Sequence, residues 1–328
     1  MNGARKLRRS LRPLPRRQRG IALLVAILLV AMGTMIAASI AYENAKTARY
    51  GAATFAFDQS VLVAQASETL AAWGLREIRR SQSSTQSIYI GQGWDKPVGP
   101  VEVVPDVMLT ATLEDMQGRF NLNSLVKQDG TTDPVTFAAF QQLLASLQIE
   151  PKWAGYIVDW IDPDIVPSNP EGAEDSVYLG QSPPYRTPNM YITSTTELLA
   201  LPGFGRDRYK RLAPFITALP IDAKINVCTA PGAVLDAFIA GHVEFGRDPE
   251  GLAKNRQAAG GCFPKIADYQ AAFGAAKNFP GGYFSETSMY FKLTSFITIG
   301  TTEFNLYSLL TQDQTGNVRP ILRSYTPD

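Results

Sequence analysis

Carboxylates crowd one short stretch of this 328-residue chain: Asp159, Asp162 and Asp164 in Asp-Trp-Ile-Asp-Pro-Asp, then Glu171, Glu174 and Asp175 beyond a Pro- and Asn-containing link. Side chains of one sign in a single irregular loop repel one another, and a hard cation such as calcium, which accepts about six to eight oxygens from flexible loops, relieves that repulsion. The candidate ligands are Asp162, Asp164, Glu171, Glu174 and Asp175. Their spacing does not fit the roughly twelve-residue loop of an EF-hand. The residues alone therefore leave two readings, a Ca²⁺ site that fixes the loop or a solvated acidic surface.

Other reactive types are sparse. Cys228 and Cys262 are the two cysteines, 34 apart. In an oxidising compartment they form one disulfide, worth roughly 3 to 4 kcal/mol on the chain-entropy model, and otherwise they are buried thiols. His242 follows a glycine between apolar residues, which suits a packed or surface histidine better than a base. No HExxH, GxSxG or phosphate-loop pattern occurs, so no enzymatic activity is expected. The run Leu198-Leu-Ala-Leu-Pro-Gly-Phe-Gly205, followed by Tyr209 and Leu212, has the pattern of a helix-hairpin-helix. Its Gly-x-Gly turn offers N–H groups that a phosphate could accept, with Arg206, Arg208, Lys210 and Arg211 nearby. The same hairpin also serves as a packing unit, and residues 143–157 read as a weaker second copy.

What must position these groups begins at a membrane. Eight basic residues and no acidic one precede Gly20, and the 23 residues from Gly20 to Tyr42 carry no charge. About 20 apolar residues span a bilayer as a helix, and the one-sided basic flank keeps the leader cytoplasmic and sends the rest across. Loss of the leader would remove eight of 31 basic residues and leave 23 against 30 acidic ones, a net charge of −7 where the whole chain has +1. An acidic exterior argues against nucleic acid as a partner.

The junction Arg-Gln-Arg-Gly followed by Ile-Ala-Leu-Leu-Val resembles the leader of type IV prepilins and pseudopilins. That resemblance implies cleavage between Gly20 and Ile21 by a prepilin peptidase, with methylation of the new amino terminus. The family's usual glutamate, five residues after the cut, is here Val25. An intramembrane carboxylate is costly without a partner, so a subunit lacking one has no charge to offer a subunit ahead of it. Together with Asp-Met-Gln-Gly-Arg-Phe-Asn-Leu-Asn-Ser-Leu, Trp-Ile-Asp-Pro-Asp and Gly-Ala-Glu-Asp, this is similar to the K-type minor pseudopilins of type II secretion. The resemblance implies calcium in the acidic loop and I-type and J-type minor pseudopilins as partners in a pseudopilus tip complex. It also implies an inner-membrane location with a periplasmic carboxy-terminal body. A minor pilin for DNA uptake, binding through the 198–205 hairpin, is the alternative.

Periodicity supplies the elements. Residues 41–80 read as helix continuing the apolar span, with Phe55, Leu62, Ala66, Leu70 and Trp73 on one face that would pack on a sheet; a break near Gly51 stays open. Residues 81–105 read as loop, and 107–113 and 118–123 as a hairpin turning at 115–118. Helices are expected after Asp133-Pro134, over 153–161, 194–201 and 206–219, after Pro231 and near 266–273, with a short strand at 224–228. Strands return at 288–299, 303–310 and 318–325. The expected class is α+β, a pilin-like fold whose long N-terminal helix packs on an antiparallel sheet interrupted by a large, mostly helical insertion. The corresponding segments are leader 1–20, membrane and spine helix 21–80, first body part 81–130, insertion 131–280 and closing strands 281–328.

Overall fold

A computed structural model describes residues 18–81, 87–168, 171–239, 244–273 and 279–326. The first helix, α1 (Gln18–Ser81), runs for 64 residues with no interruption at Gly51. Its apolar part is long and hydrophobic enough to cross a membrane, with a mean hydropathy of 2.7 over its best window. The chain divides into two units, Met1–Gln59 and Ser60–Asp328.

In the second unit, α1 from Ser60 onward lies against a five-stranded antiparallel sheet. The strands are β1 (Val98–Val104), β2 (Val107–Asp115), then β7 (Tyr290–Ile299), β8 (Thr302–Gln312) and β9 (Val318–Ser324), in the order β1-β2-β7-β8-β9. β2 pairs with β7 along its whole length, from Val107 opposite Ile299 to Asp115 opposite Phe291. The two ends of the sheet sequence therefore meet, and everything between them loops out.

Two expectations about the sheet are corrected. Residues 98–104, read as loop, form the edge strand β1, which turns into β2 at Pro105 and Asp106 (φ 65°) and keeps Pro100 on an edge, where a missing N–H costs least. Residues 107–113 and 118–123 do not pair as a hairpin. β2 finds the longer ladder of β7, while a 3-10 turn (Met116–Gly118) capped by Asp115 ends the strand, and β3 (Phe120–Asn121) pairs in parallel with β4 (Ile216–Thr217).

The helix face against the sheet also differs from the expected one. Val63 and Ala64 meet Val107, Leu109, Ile297 and Phe304, and Leu75 meets Ala111, Phe291 and Leu293. Ser60, Ser67, Glu68 and Ala72 are buried beside them, whereas Leu62, Leu70 and Trp73 are 66%, 52% and 61% exposed. Small side chains let the helix lie close to the strands, and polar ones fix its register. Glu68 accepts from Ser308 Oγ (2.6 Å) and from Arg323 Nε and Nη2 (2.8 and 2.6 Å), and the Ser67 and Ser295 hydroxyls lie 2.6 Å apart.

The looped-out region is mostly helical. It contains α2 (Pro134–Ser146), α3 (Trp153–Ile161), α4 (Asp175–Tyr178), a 3-10 turn (Thr195–Ala200) and α5 (Gly205–Leu212). β5 (Ile225–Asn226), α6 (Gly232–Asp236), α7 (Pro249–Ala259), α8 (Ile266–Phe273) and β6 (Phe284–Ser285) follow. Asp133 caps α2 by accepting from Val135 and Thr136 N, as its place before Pro134 implies. The helix expected over 206–219 stops at Leu212 because Pro214 breaks it and Ile216 enters β4. α7 forms in Gly- and Ala-containing surroundings that carry no clear helical period; Asp248 caps it and left-handed Gly260 (φ 56°) ends it. Cys228 and Cys262 form a disulfide.

Phe120, Phe140, Leu144, Trp153, Ile157 and Phe204 are among the fully or almost fully buried residues of one continuous core. Asp115 joins that core to the sheet: its Oδ2 accepts from Thr229 Oγ1 (2.6 Å), Ser288 Oγ (2.6 Å) and Asn226 Nδ2 (3.1 Å). Burial pushes its carboxyl pKa up against the pull of those donors.

Candidate metal centre

α3 ends because Pro163 disfavours helical geometry at Asp162, which is extended (φ −68°, ψ 155°) and donates its N–H to Val158 O. The acidic loop that follows is drawn back onto the helix by Asp159. That buried carboxylate accepts from Ser168 N (3.0 and 3.1 Å) and Ala173 N (2.6 Å), so residues on both sides of the loop hang on one side chain. Glycines make the approach possible. A Cβ at Gly172 would sit 2.2 Å from Asp159 Oδ2, and one at Gly155 would sit 2.0 Å from Glu171 O. Glu174, the residue before α4, is thereby brought beside the end of α3.

The result is a three-carboxylate cluster. Ligand oxygens of Asp162, Asp164 and Glu174 lie within 4.8 Å of one another. Asp162 and Glu174 are only 5% and 3% exposed, and Asp162 Oδ1 and Glu174 Oε1 have no hydrogen-bond donor. Asn189 joins this loop, with its Nδ2 donating to the Asp164 carbonyl (2.7 Å) and its buried Oδ1 unpartnered. Burial, then the charges of Asp164, Asp159 and Glu174, push Asp162 up to about 7. Burial, then Asp159, push Glu174 up to about 7 against a bond from Thr187. Buried acceptors without donors, clustered at one sign of charge, fit an oxygen-bound divalent cation.

Two of the five expected ligands lie outside this cluster. Asp175 pairs with Arg186 Nη1 (2.9 Å) and accepts from Thr187 N (3.3 Å). Glu171 is exposed and stands outside the cluster. Asn189 lay outside the sequence expectation because no short-range pattern ties it to an acid 25 residues earlier; only the fold does.

In the second candidate, the hairpin at 198–205, Arg208 and Arg211 bond to the protein itself, while Arg206 and Lys210 are exposed. Gly203 (φ 82°) and Gly205 (φ 76°) make the turn. Arg208 donates to both Glu150 oxygens (2.8 and 2.6 Å) and to Phe204 O (3.0 Å), and its guanidinium lies 5.5 Å from the Trp153 ring centre. Glu150 is held down to about 2, first by that hydrogen bond. Arg211 donates to Gln148 O (3.1 Å), so the turn after α2 and the hairpin of α5 are laced together. Gly20, Ile21 and Val25 lie in the first turns of α1. His242 and leader residues 1–17 fall outside the described residues.

The family model of the type II secretion system protein K matches residues 118–221. The type II secretion system protein K of Pseudomonas aeruginosa is 31% identical over 318 residues, covering 94% of this chain and 93% of that protein. That of Klebsiella pneumoniae is 35% identical over 221 residues, covering 65% and 67%. A chain in the crystal structure of the GspK-GspI-GspJ complex from enterotoxigenic Escherichia coli shares the fold, with a TM-score of 0.66 at 23% identity over 83% of this chain and 97% of that one.

Proposed function

This chain belongs to the type II secretion system protein K family, and from that premise we propose that it is the minor pseudopilin at the tip of the secretion pseudopilus. It assembles with I-type and J-type minor pseudopilins, starts the fibre and supports protein export across the outer membrane. The observation that carries this reading is the outward face of α1. Leu62, Leu70 and Trp73 are exposed on the side the sheet does not use, and a cleft of about 400 Å³ opens beside them between Trp73, Trp94, Val98 and Leu113. A helix that is apolar away from its own sheet has a second side to bury, and another subunit's helix fits that need.

In this reading the leader is removed between Gly20 and Ile21, the new amino terminus is methylated, and α1 is held in the inner membrane with the body in the periplasm. Val25 brings no carboxylate into the membrane, which suits a subunit with none ahead of it. The role is assembly, not catalysis.

The acidic loop completes the reading as a structural calcium site held by Asp162, Asp164 and Glu174. The ion would supply the positive charge that the cluster lacks. The chain's own work is positioning: Asp159 folds the loop through two amides, and Pro163 turns Asp162 out of α3.

The test is to identify the mature amino terminus by mass spectrometry and to co-purify the I-type and J-type subunits with the chain and with a Leu70→Ser/Trp73→Ser variant. A start at Ile21 is expected, with the variant melting like the parent yet losing its partners. A protein that retains Met1, or a variant that assembles as well as the parent, defeats the proposal.

A further inference from the structure

The loops around the metal centre carry a feature that neither calcium binding nor helix packing uses. Ile165, Val166 and Met190 are 74%, 69% and 68% exposed. Each is tied to the centre through its neighbours. Ile165 directly follows Asp164, and Val166 N donates to Asp164 Oδ1 (2.7 Å). Met190 directly follows Asn189, whose Nδ2 donates to Asp164 O. Two segments far apart in sequence thus present aliphatic side chains next to one cluster of carboxylates.

We propose that these three residues form a calcium-conditional docking surface for a partner protein that offers an apolar face rimmed by basic residues; the inference rests on the calcium reading above. Without a cation, Asp162, Asp164 and Glu174 repel one another and Asn189 Oδ1 has no partner; Asp159 holds the far end of the 162–168 loop at Ser168, and the side-chain amide of Asn189 ties Asp164 to the 187–191 segment. With the ion, the three carboxylates are drawn to one centre, and the spacing of Ile165 and Val166 from Met190, which Asn189 Nδ2 links to Asp164 O, is set. An ordered aliphatic patch loses less entropy on binding than a mobile one, so calcium tightens the contact without touching the partner.

Charge selects the occupant. One divalent ion leaves the three carboxylates short of neutrality, and exposed Glu171 adds negative charge nearby, while Asp175 is paired with Arg186. The mature chain, at a net −7, repels a second copy of itself, and the same sign disfavours an anionic bilayer. A basic rim around an apolar face is the complementary surface.

The experiment uses the full-length chain in neutral nanodiscs and a labelled Leu- and Lys-rich peptide, read by fluorescence anisotropy with empty nanodiscs as blank. A Leu- and Glu-rich peptide and phosphatidylglycerol vesicles are the competing probes. Binding of the Lys-containing peptide is expected to be about tenfold tighter in calcium than in chelator, and Ile165→Ser/Val166→Ser should abolish that difference while keeping the parent's calcium-induced rise in melting temperature. Equal binding by the double variant, or equal capture of the acidic peptide or the vesicles, overturns the docking surface while leaving the calcium site intact. Absence of any calcium-induced melting shift overturns both, and the two failures are told apart by that single reading.

Discussion

Substituting Asp162→Asn tests the metal centre with opposite signs in two conditions. In the ion-free fold Asp162 and Glu174 are both raised to about 7, from 3.8 and 4.5. A carboxyl raised above its unfolded value makes the fold most stable below pH 4, where both states are protonated, and costs stability as pH rises through 7. Treated as independent, the two shifts would amount to roughly 8 kcal/mol at 1.36 kcal/mol per pH unit; the pair is coupled and partly solvated, so about 2–4 kcal/mol is the working figure. In chelator, the melting temperature should therefore fall between pH 5 and pH 8. Calcium at about 100 times its dissociation constant returns roughly 2.7 kcal/mol. For a body of this size that is a rise of about 5–10 °C. Asp162→Asn removes one of the repelling charges, so at pH 8 in chelator it should melt higher than the parent, and it should lose the calcium response. Differential scanning calorimetry of the full-length protein in detergent reads both. A solvated acidic loop would give neither effect: a parent whose melting temperature is flat in pH and indifferent to calcium, or an Asn variant that is less stable in chelator and still responds, refutes the reasoning.

Two further outcomes follow from the packing. Glu68→Ala should cost about 1–3 kcal/mol, because it strands the buried Ser308 hydroxyl and removes the two bonds that the half-exposed Arg323 makes to Glu68. Arg323→Ala alone should cost less, and a double-mutant cycle in denaturant should give a coupling near 1–2 kcal/mol. Replacing Cys228 and Cys262 by Ser opens a link with a sequence separation of 34 and should cost roughly 3–4 kcal/mol, read as a lower denaturation midpoint equal to that of the reduced parent.

Much of the fold was legible where the deciding interactions are local. The apolar run, the Asp133-Pro134 cap and the alternation in 290–299 and 302–312 announce helix and strand from neighbours alone. What the sequence withheld depends on contacts between distant residues. β2 prefers β7 to the nearer 118–123, and no local pattern says so. The carboxylate cluster divides in the same way. Asp162 and Asp164 lie on one turn, but Glu174 joins them only because Asp159 folds the loop, and Asn189 arrives from a separate segment.

The outward face of α1 carries the most functional weight. Apolar periodicity identifies a face that seeks burial and is silent about what buries it. In a self-contained domain the largest apolar stripe faces the domain's own core, and that premise placed Leu62, Leu70 and Trp73 on the sheet. Here the sheet takes the side of Ser60, Ala64, Ser67 and Ala72, where small residues allow close approach and Glu68 sets the register, while the bulky side is left outward. A chain that folded only for itself would gain by turning the helix the other way. Keeping the larger apolar side free is consistent with a subunit whose folding stops one contact short and whose remaining contact is made by assembly.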